Sequence, residues 1–191
     1  MNMETTSRAF FDGIYERDSD PWNFASSAYE LRRYERILQA LPRTRYKRAF
    51  EPGCSIGVLT ERLASVCDTV EAIDISAIAA DRAIERCSGL GHVHIQRGTL
   101  PKDIPAGQFD LIVFSEIGYY FEAPQLQPLL NQLITHLDNN GTFLASHWLG
   151  SSPDHLLGGD QVHQVILGID ELTLEHSERH AEFLLERWAR R

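Results

Sequence analysis

The hydrophobic and polar positions along the chain change their spacing several times, and each spacing predicts one type of element. Between residues 28 and 41 apolar residues recur every three or four positions, which predicts an amphipathic helix that Pro42 ends. Short apolar runs farther along predict strands over 48–50, 69–73, 92–96, 109–114 and 142–146. Helical spacing between these runs predicts helices over 57–66, 77–87 and 124–136.

This alternation of strands and helices predicts a doubly wound α/β sheet that is mostly parallel. The run FDLIVF over 109–114 is almost wholly apolar, as is typical of a strand buried on both faces. Near the end of the chain, 170–176 and 180–188 read as strands separated by Ser177-Glu178-Arg179, with no helix between them. We therefore expect an antiparallel pair at the end of the chain. The parallel strands end at one edge of such a sheet, where ligands bind.

Composition and charge narrow the classes of function. The 191 residues include 18 Lys and Arg against 27 Asp and Glu, a net charge of −9, which disfavours a general nucleic-acid-binding protein. Cys54, Cys67 and Cys87 form no C-x-x-C pair, so we expect reduced thiols in a cytoplasmic protein. The start of the chain lacks the pattern of a signal peptide, and no apolar run of about 18 residues predicts a membrane span.

The segment from Glu51 to Gly57, EPGCSIG, lies between a predicted strand and a predicted helix. Gly53 permits a positive φ and a close approach of a ligand to the backbone, although a turn without a ligand gives the same pattern. The segment is not the G-x-G-x-x-G of dinucleotide-binding proteins. Asp74 ends the next strand, where a carboxylate can accept hydrogen bonds from a ribose or cap the following helix. Because Ser76 is available as the cap, the turn and Asp74 together indicate a bound nucleoside.

Residues with acid–base or stacking chemistry follow the fourth and fifth predicted strands. Glu116 can act as a general base or hold a cationic amine, or it can cap a helix. Tyr119, Tyr120 and Trp148 can each stack on a sugar ring or simply pack in the core. His147 is a candidate acid or base because its ordinary pKa lies near neutrality, although a lone histidine is more often structural.

Glycines make 149–159 a candidate mobile flap over a substrate. Asp160 is expected to cap the next helix, and His163 in the first turn of that helix is a candidate substrate-binding residue. The histidines show no spacing typical of metal ligands, so we expect no metal.

The strings EPGCSIG, AIDIS, FDLIVFSEIGYY and NGTFLAS, in this order, resemble the class I S-adenosylmethionine-dependent methyltransferases over about residues 46–148. The strings DPWNF, EPGCSIGVLT and GDQVHQVI and the pair Tyr29-Glu30 more narrowly resemble the NodS-type methyltransferases, over nearly the whole chain. That group includes the nodulation enzyme that N-methylates the terminal glucosamine of deacetylated chitooligosaccharides. The resemblance implies a Rossmann-like methyltransferase sheet with an antiparallel C-terminal strand. It also implies S-adenosyl-L-methionine as cofactor and S-adenosyl-L-homocysteine as product.

The resemblance further implies roles for single residues. Thr99 or its backbone binds adenine, because Gly98-Thr99-Leu100 stands where the family usually has an acid. Tyr29 and Arg33 lie near the methionine carboxylate, unless Arg33 is on a solvated helix face. Ser55 replaces a glycine of the first motif, and a serine fits there if its φ is negative. Contacts with the cofactor are expected from Trp22, Tyr29, Arg33, Glu51, Gly53, Cys54, Gly57, Asp74, Ile75, Thr99, Leu100, Ser115 and Glu116.

We expect one domain over 1–191, with an N-terminal helical lid over 1–42, a cofactor-binding core over 43–148, and a flap, helix and hairpin over 149–191. The expected function is N-methylation of a small-molecule amine such as an amino sugar, with Glu116 and His147 as candidate bases. Enzymes that methylate exocyclic base nitrogens often carry a [D/N/S]-P-P-[Y/F/W] string after the fourth strand. This chain has no such string there, which disfavours a nucleobase amine as the acceptor. We expect a monomer or weak homodimer without nucleic-acid or membrane partners. The alternatives are a non-catalytic binding domain, an O-directed methyltransferase and a nucleotide-dependent oxidoreductase.

Overall fold

The computed structural model describes residues 7–191. Its strands form one seven-stranded sheet in the order β3-β2-β1-β4-β5-β7-β6. The strands are β1 (Tyr46–Pro52), β2 (Cys67–Asp74), β3 (Val93–Arg97), β4 (Phe109–Ser115), β5 (Leu137–Trp148), β6 (Leu172–Arg179) and β7 (Phe183–Arg190). The helices are α1 (Arg8–Arg17), α2 (Ala28–Ala40), α3 (Val58–Leu63), α4 (Ala77–Arg86), α5 (Ala123–Thr135) and α6 (Gly159–Leu167), and a short 3-10 turn spans Gly118–Tyr120.

The directions of the strands confirm the predicted fold class. Strands β1 to β5 pair in parallel with their neighbours. Strand β7 runs antiparallel to both β5 and β6, as expected for the end of the chain. The carboxyl ends of β1 to β5 therefore meet at one edge, and the loops that follow them are close enough to form a single site. None of the helices within 7–191 is both long and apolar enough to cross a membrane.

The core consists of two hydrophobic clusters, one on each face of the sheet. Leu111 and Val113 of β4 belong to the cluster that contains side chains of α2 and α3. Ile112 and Phe114 of the same strand belong to the cluster that contains side chains of α5 and α6. Because successive side chains of a strand point to opposite faces, a strand covered on both faces needs apolar residues at every position. This explains the continuous apolar run of β4.

Two element boundaries near the end of the chain differ from the predictions. Strand β5 begins at Leu137 and not at 142, and Asn140, with a φ of 61°, lies inside it where the register with β4 is irregular. The chain reverses at 180–182 instead of 177–179, and the amide of His180 donates to the carbonyl of Phe183 at 2.9 Å. The polar residues 177–179 fit within β6 because this strand is an edge of the sheet.

Three helix assignments also change. Helix α1 was not predicted; Ser7 caps it, and Tyr15 is its one buried residue within the described chain, so its apolar spacing is weak. Helix α3 spans 58–63 and not 57–66, since Gly57 before it takes a positive φ. The expectation that Asp160 caps α6 is wrong. Gly158 occupies the cap position, and the carboxylate of Asp160 pairs instead with Arg179 of β6.

Candidate active site

A cavity of about 600 Å³ lies at the edge where the parallel strands end. Its walls come from the loops after β1 to β5, from α1 and α2, and from residues 151–155. A cavity of this size lies within the usual range for small-molecule sites. The predicted site residues that line it are Trp22, Tyr29, Gly53, Asp74, Ile75, Thr99, Leu100, Glu116, Tyr119, Tyr120 and Trp148.

The turn after β1 brings its backbone to the cavity wall through three left-handed residues, Gly53 (φ 76°), Ser55 (φ 51°) and Gly57 (φ 80°). A Cβ at Gly53 would lie 2.2 Å from Cγ2 of Ile117, so this position excludes any side chain. The condition under which a serine was expected to fit at position 55, a negative φ, is not met. The hydroxyl of Ser55 bonds to that of Tyr15 at 2.5 Å and its amide to Asp74 at 2.8 Å, and these contacts hold the unfavourable conformation.

Asp74 connects this turn to the following helix. Its two carboxylate oxygens accept hydrogen bonds from the amides of Ser55 at 2.8 Å and Ser76 at 2.9 Å. Burial raises the pKa of Asp74 to about 6, although both hydrogen bonds act in the opposite direction. The side chain of Ser76 caps α4, so Asp74 is not needed as its cap. Asp74 thus presents a carboxylate to the cavity where a ribose was expected.

The loop after β3 lines the cavity with Thr99 and Leu100. The amide of Thr99 is already engaged, because it donates to the carboxylate of Asp103 at 2.9 Å. Asp103 is the acid of this loop, four residues later than Thr99. No pattern in the sequence pointed to Asp103, and in the structure it holds the loop.

Behind the cavity, a small pocket of about 30 Å³ adjoins Gly53 and Glu116. Four further predicted residues line it, namely Arg33, Glu51, Cys54 and Ser115, whereas Gly57 lines neither space. Burial raises the pKa of Glu51 to about 8, and its Oε2 has no hydrogen-bond partner among the described residues. Burial also raises the pKa of the enclosed Cys54 thiol.

Arg33 is almost completely buried, with 1% of its surface exposed, so the alternative of a solvated helix face is wrong. It forms ion pairs with Glu30, one turn away in α2, and with Glu116 at 2.5 Å. A bidentate guanidinium suits two carboxylates, and burial without them would be costly. Arg33 therefore joins α2 to the loop after β4.

Glu116 begins the loop after β4 in a left-handed conformation with a φ of 58°. Besides Arg33, its carboxylate accepts hydrogen bonds from the hydroxyl of Tyr119 at 2.6 Å and the amide of Trp148 at 2.9 Å. It does not cap a helix, because Ile117 occupies the cap position of the 3-10 turn and Glu122 caps α5. These three donors hold the carboxylate at the cavity wall and compete for the electron pairs that a general base needs.

The structure does not support a direct role for His147 or His163. Neither lines the cavity, and both lie behind the turn 118–120. Nε2 of His147 accepts the amide of Gly118 at 3.1 Å, and its Nδ1 faces Nε2 of His163 at 3.2 Å. Nδ1 of His163 bonds to Glu186 at 2.7 Å. Because all four ring nitrogens are engaged, the predictions of a base at 147 and a substrate contact at 163 are wrong.

The N-terminal part of the described chain closes one side of the cavity. Phe11, Tyr15, Trp22 and Phe24 line it, and the rings of Trp22 and Phe24 stack at 5.6 Å. Asp12 holds α1 against the start of α4 by accepting hydrogen bonds from the hydroxyl of Ser76 and the amide of Ala77. Phe11 and Tyr15 were not predicted as site residues, although their spacing of four residues is typical of one helix face. The part of the expected lid over 1–6 lies outside the described residues.

The expected flap contributes residues that the sequence analysis did not select. Ser151, Ser152 and His155 line the cavity opposite the glycine turn. The ring of His155 stacks on that of Tyr119, with centroids 3.8 Å apart and an interplanar angle of 15°. The one feature of the sequence that could have pointed to His155 is its place in a glycine-bounded loop after a strand. Among residues 7–191 no group of His, Cys, Asp or Glu is arranged to hold a metal ion.

Comparison with known sequences identifies the family. The model of the nodulation protein S (NodS) family matches residues 14–169 of this chain. Nodulation protein S of Bradyrhizobium diazoefficiens is 29% identical over 139 residues, which make up 72% of this chain and 65% of that protein, less than two thirds of its length. Nodulation protein S of Sinorhizobium fredii is 25% identical over 182 residues, 88% of this chain and 82% of that protein.

Solved structures agree in fold. A protein of Pseudomonas syringae, provisionally named a methyltransferase, is 37% identical with a TM-score of 0.77, over 86% of this chain and 100% of that one. The N-methyltransferase NodS of Bradyrhizobium japonicum, in complex with S-adenosyl-L-homocysteine, is 23% identical with a TM-score of 0.84, over 96% of this chain and 98% of that one. The second likeness concerns the fold. The chain therefore belongs to the nodulation protein S family.

Proposed function

We propose that the protein transfers a methyl group from S-adenosylmethionine to an amine of a small molecule, such as an amino sugar or a chitooligosaccharide. The observation that carries this proposal is the charge of the cavity. Three carboxylates line it, those of Glu30, Asp74 and Glu116, and no Lys or Arg side chain of the described residues does. Arg33, behind the wall, offsets part of the charge of Glu30 and Glu116, and the remaining negative charge concentrates ligands of positive charge. S-adenosylmethionine carries a sulfonium cation, and an amine acceptor is also cationic before it loses a proton.

The residues present fit the adenosyl part of this methyl donor. Gly53 lines the cavity without a side chain and in a left-handed conformation, so its backbone is open to a closely bound ligand. Asp74 can accept hydrogen bonds from ribose hydroxyls, and Thr99 and Leu100 can contact the adenine. Glu30 and Arg33 supply charged groups for the methionine end, and the buried carboxyl of Glu51, with its pKa raised to about 8, supplies a hydrogen-bonding group. When bound, the donor supplies an activated methyl group.

The chain's own contribution is to position the acceptor and to accommodate its proton. Alignment of the two reacting groups in an enclosed site can supply much of the rate. Aromatic side chains of Tyr119, Tyr120 and Trp148 form the wall on the acceptor side, next to the carboxylate of Glu116. Flat rings beside a carboxylate suit a sugar that carries an amine. Glu116, held by three donors, is proposed to orient this amine.

The same charge argues against the oxidoreductase alternative. A dinucleotide would bring a pyrophosphate to a wall of carboxylates, and like charges repel. We therefore expect calorimetry to detect binding of S-adenosylhomocysteine and none of NAD. Binding of NAD with the same or higher affinity would contradict the proposal.

The acceptor is tested with labelled S-adenosylmethionine and a matched pair of oligosaccharides. We expect label to enter a chitotetraose whose terminal residue is deacetylated, and not the fully acetylated chitotetraose. Transfer to the acetylated compound would indicate an O-directed enzyme. Binding of S-adenosylhomocysteine without transfer to any amine, hydroxyl or oligosaccharide would instead favour a non-catalytic binding domain. Mass and sedimentation measurements would test the predicted monomer or weak homodimer.

A further inference from the structure

The ring of His155 is held in a fixed position at the wall of the cavity. The amides of Leu156 and Leu157 both donate to the carbonyl of Tyr119, at 2.8 and 3.2 Å, and so fasten this loop to the turn after β4. The amide of His155 closes a local turn on the carbonyl of Ser152 at 3.1 Å. The imidazole then lies flat on the ring of Tyr119. Backbone bonds and stacking together orient the imidazole.

The other groups at the cavity that could accept a proton are already engaged. Glu30 pairs with Arg33, and Glu116 receives three donors. Asp74 accepts two backbone amides. Burial raises the pKa values of the tyrosines at the wall, so they remain protonated, as in the case of Tyr119. The carboxylates are thus better suited to binding a cation than to taking its proton.

His155 differs from these groups. Its Nδ1 has no hydrogen-bond partner among residues 7–191, so no neighbour fixes which nitrogen carries the proton. Burial lowers its pKa below 6.5, which leaves the imidazole neutral at pH 7. The charged groups that act on it are the carboxylates of Asp154 and Glu116, and both favour the imidazolium once it forms. A neutral, oriented imidazole beside two carboxylates has the properties of a general base.

We propose that His155 is the base that takes the proton of the acceptor amine, an inference that rests on the function proposed above. The protonated amine first gives one proton to Nε2 of His155, which leaves an electron pair free on the nitrogen. This nitrogen forms a bond to the methyl carbon while the carbon–sulfur bond of the donor breaks, and the electron pair of that bond stays on the sulfur, which becomes a neutral thioether. The product leaves as a methylated ammonium ion, and water takes the proton from the imidazolium. Nothing else is consumed.

The test compares H155A with wild type, using the chitotetraose with a deacetylated terminal residue as the acceptor. We expect kcat to fall by about 10²-fold, at the lower end of the range for a general base. Affinity for S-adenosylhomocysteine, measured by calorimetry, should change less than about 3-fold. If His155 only packed against its neighbours, affinity would fall as much as kcat. Added imidazole should restore turnover of H155A in proportion to its concentration. The control is H94A, because His94 is exposed on β3 and does not line the cavity.

The outcomes separate this inference from the proposed function. If wild type transfers methyl to the amine and H155A does so equally well, the assignment of the base is wrong while the function stands. A loss that imidazole does not restore, together with weaker binding of S-adenosylhomocysteine, would mean that His155 only packs against Tyr119. If wild type transfers no methyl group to an amine, the function and the base are both wrong. A rise of the wild-type rate with pH through a pKa below 6.5, absent in H155A, would add independent support.

Discussion

The two halves of the cavity are built by different means. The half nearest β1 and β2 is formed by backbone, with left-handed conformations at Gly53, Ser55 and Gly57 and amides bound to Asp74. The half nearest β4 and β5 is formed by side chains on loops, with Glu116, Tyr119 and His155 held by one another and by single amides. Backbone conformation restricts the residue type at each position, whereas side-chain packing leaves many choices. The first half can therefore be identified from a sequence, and the second can be identified only in part.

His147 and His155 illustrate the second half. His147 ends a strand at the expected edge, but it lies on the same face of β5 as Phe143 and Ala145 and so points into the core beneath α6. His155 lies in a loop that folds back over the edge and reaches the cavity. A position at the end of a strand brings a residue to the ligand-binding edge of the sheet. Whether its side chain contacts the ligand depends on the face of the sheet to which that side chain points.

The largest effect is expected in the backbone half, for G53V. A valine at a φ of 76° is strained, and its Cβ would lie 2.2 Å from a side-chain atom of Ile117. We expect no measurable binding of S-adenosylhomocysteine by calorimetry, while the circular dichroism of the fold is kept. G89V is the matched control, because nothing lies within 4 Å of a Cβ there. Normal binding by G53V would show that this turn has only a structural role.

A smaller effect, on turnover more than on binding, is expected in the side-chain half for E116Q. The amide keeps the shape of the carboxylate but removes the charge that pairs with Arg33 and orients a cationic amine. We expect kcat to fall by about 10²-fold, with affinity for S-adenosylhomocysteine changed less than about 3-fold. The control is E85Q on the exposed face of α4. An equal loss of both quantities would mean that Glu116 supports the methyl donor and not the acceptor.

In the first half, D74A is expected to weaken the binding of S-adenosylhomocysteine by about 10- to 100-fold. Hydrogen bonds to a charged group contribute about 1.5–3 kcal/mol, and the substitution also leaves the amides of Ser55 and Ser76 without their acceptor. The pKa of about 6 for Asp74 adds a pH dependence. Below pH 6 the free carboxyl is protonated and must ionise to accept two ribose hydroxyls, so affinity should fall as the pH drops. D74N should lack this pH dependence, and unchanged affinity of D74A would contradict the ribose assignment.

The same contrast explains what the sequence could predict of the fold. The strand over 109–114 was predictable because burial on both faces leaves an unbroken apolar run. Helix α1 was not, since Tyr15 is its only buried residue in the described chain and its other contacts are polar ones to distant residues. The turn at 180–182 was misplaced because an edge strand tolerates the polar run 177–179 that reads as a turn.

In the site, the positive φ of Ser55 could not be read from its identity, because tertiary contacts impose it. Two hydrogen bonds, to Tyr15 and Asp74, come from residues 40 and 19 positions away. The enclosure of Arg33 has a similar cause: one of its carboxylates is in its own helix and the other is in the loop after β4. Such pairings between distant segments leave no periodic signal in the chain.

The smallest effect concerns the segment that joins the two halves, residues 7–26. Tyr15 bonds to the glycine turn, and Trp22 and Phe24 cover the cavity. A ligand in the cavity would give these rings more surface to bury, so we propose that this segment is a lid that S-adenosylhomocysteine stabilises. Trypsin cleavage after Arg17 should slow by about 3- to 10-fold at saturating ligand, as followed by mass spectrometry. Cleavage after Arg190, the last residue of β7, serves as the internal control, since this segment is part of the sheet. If the segment closes through its aromatic contacts, W22A should reduce the protection of Arg17 from trypsin by the ligand. Equal cleavage rates at Arg17 with and without the ligand would show that this segment is a fixed wall.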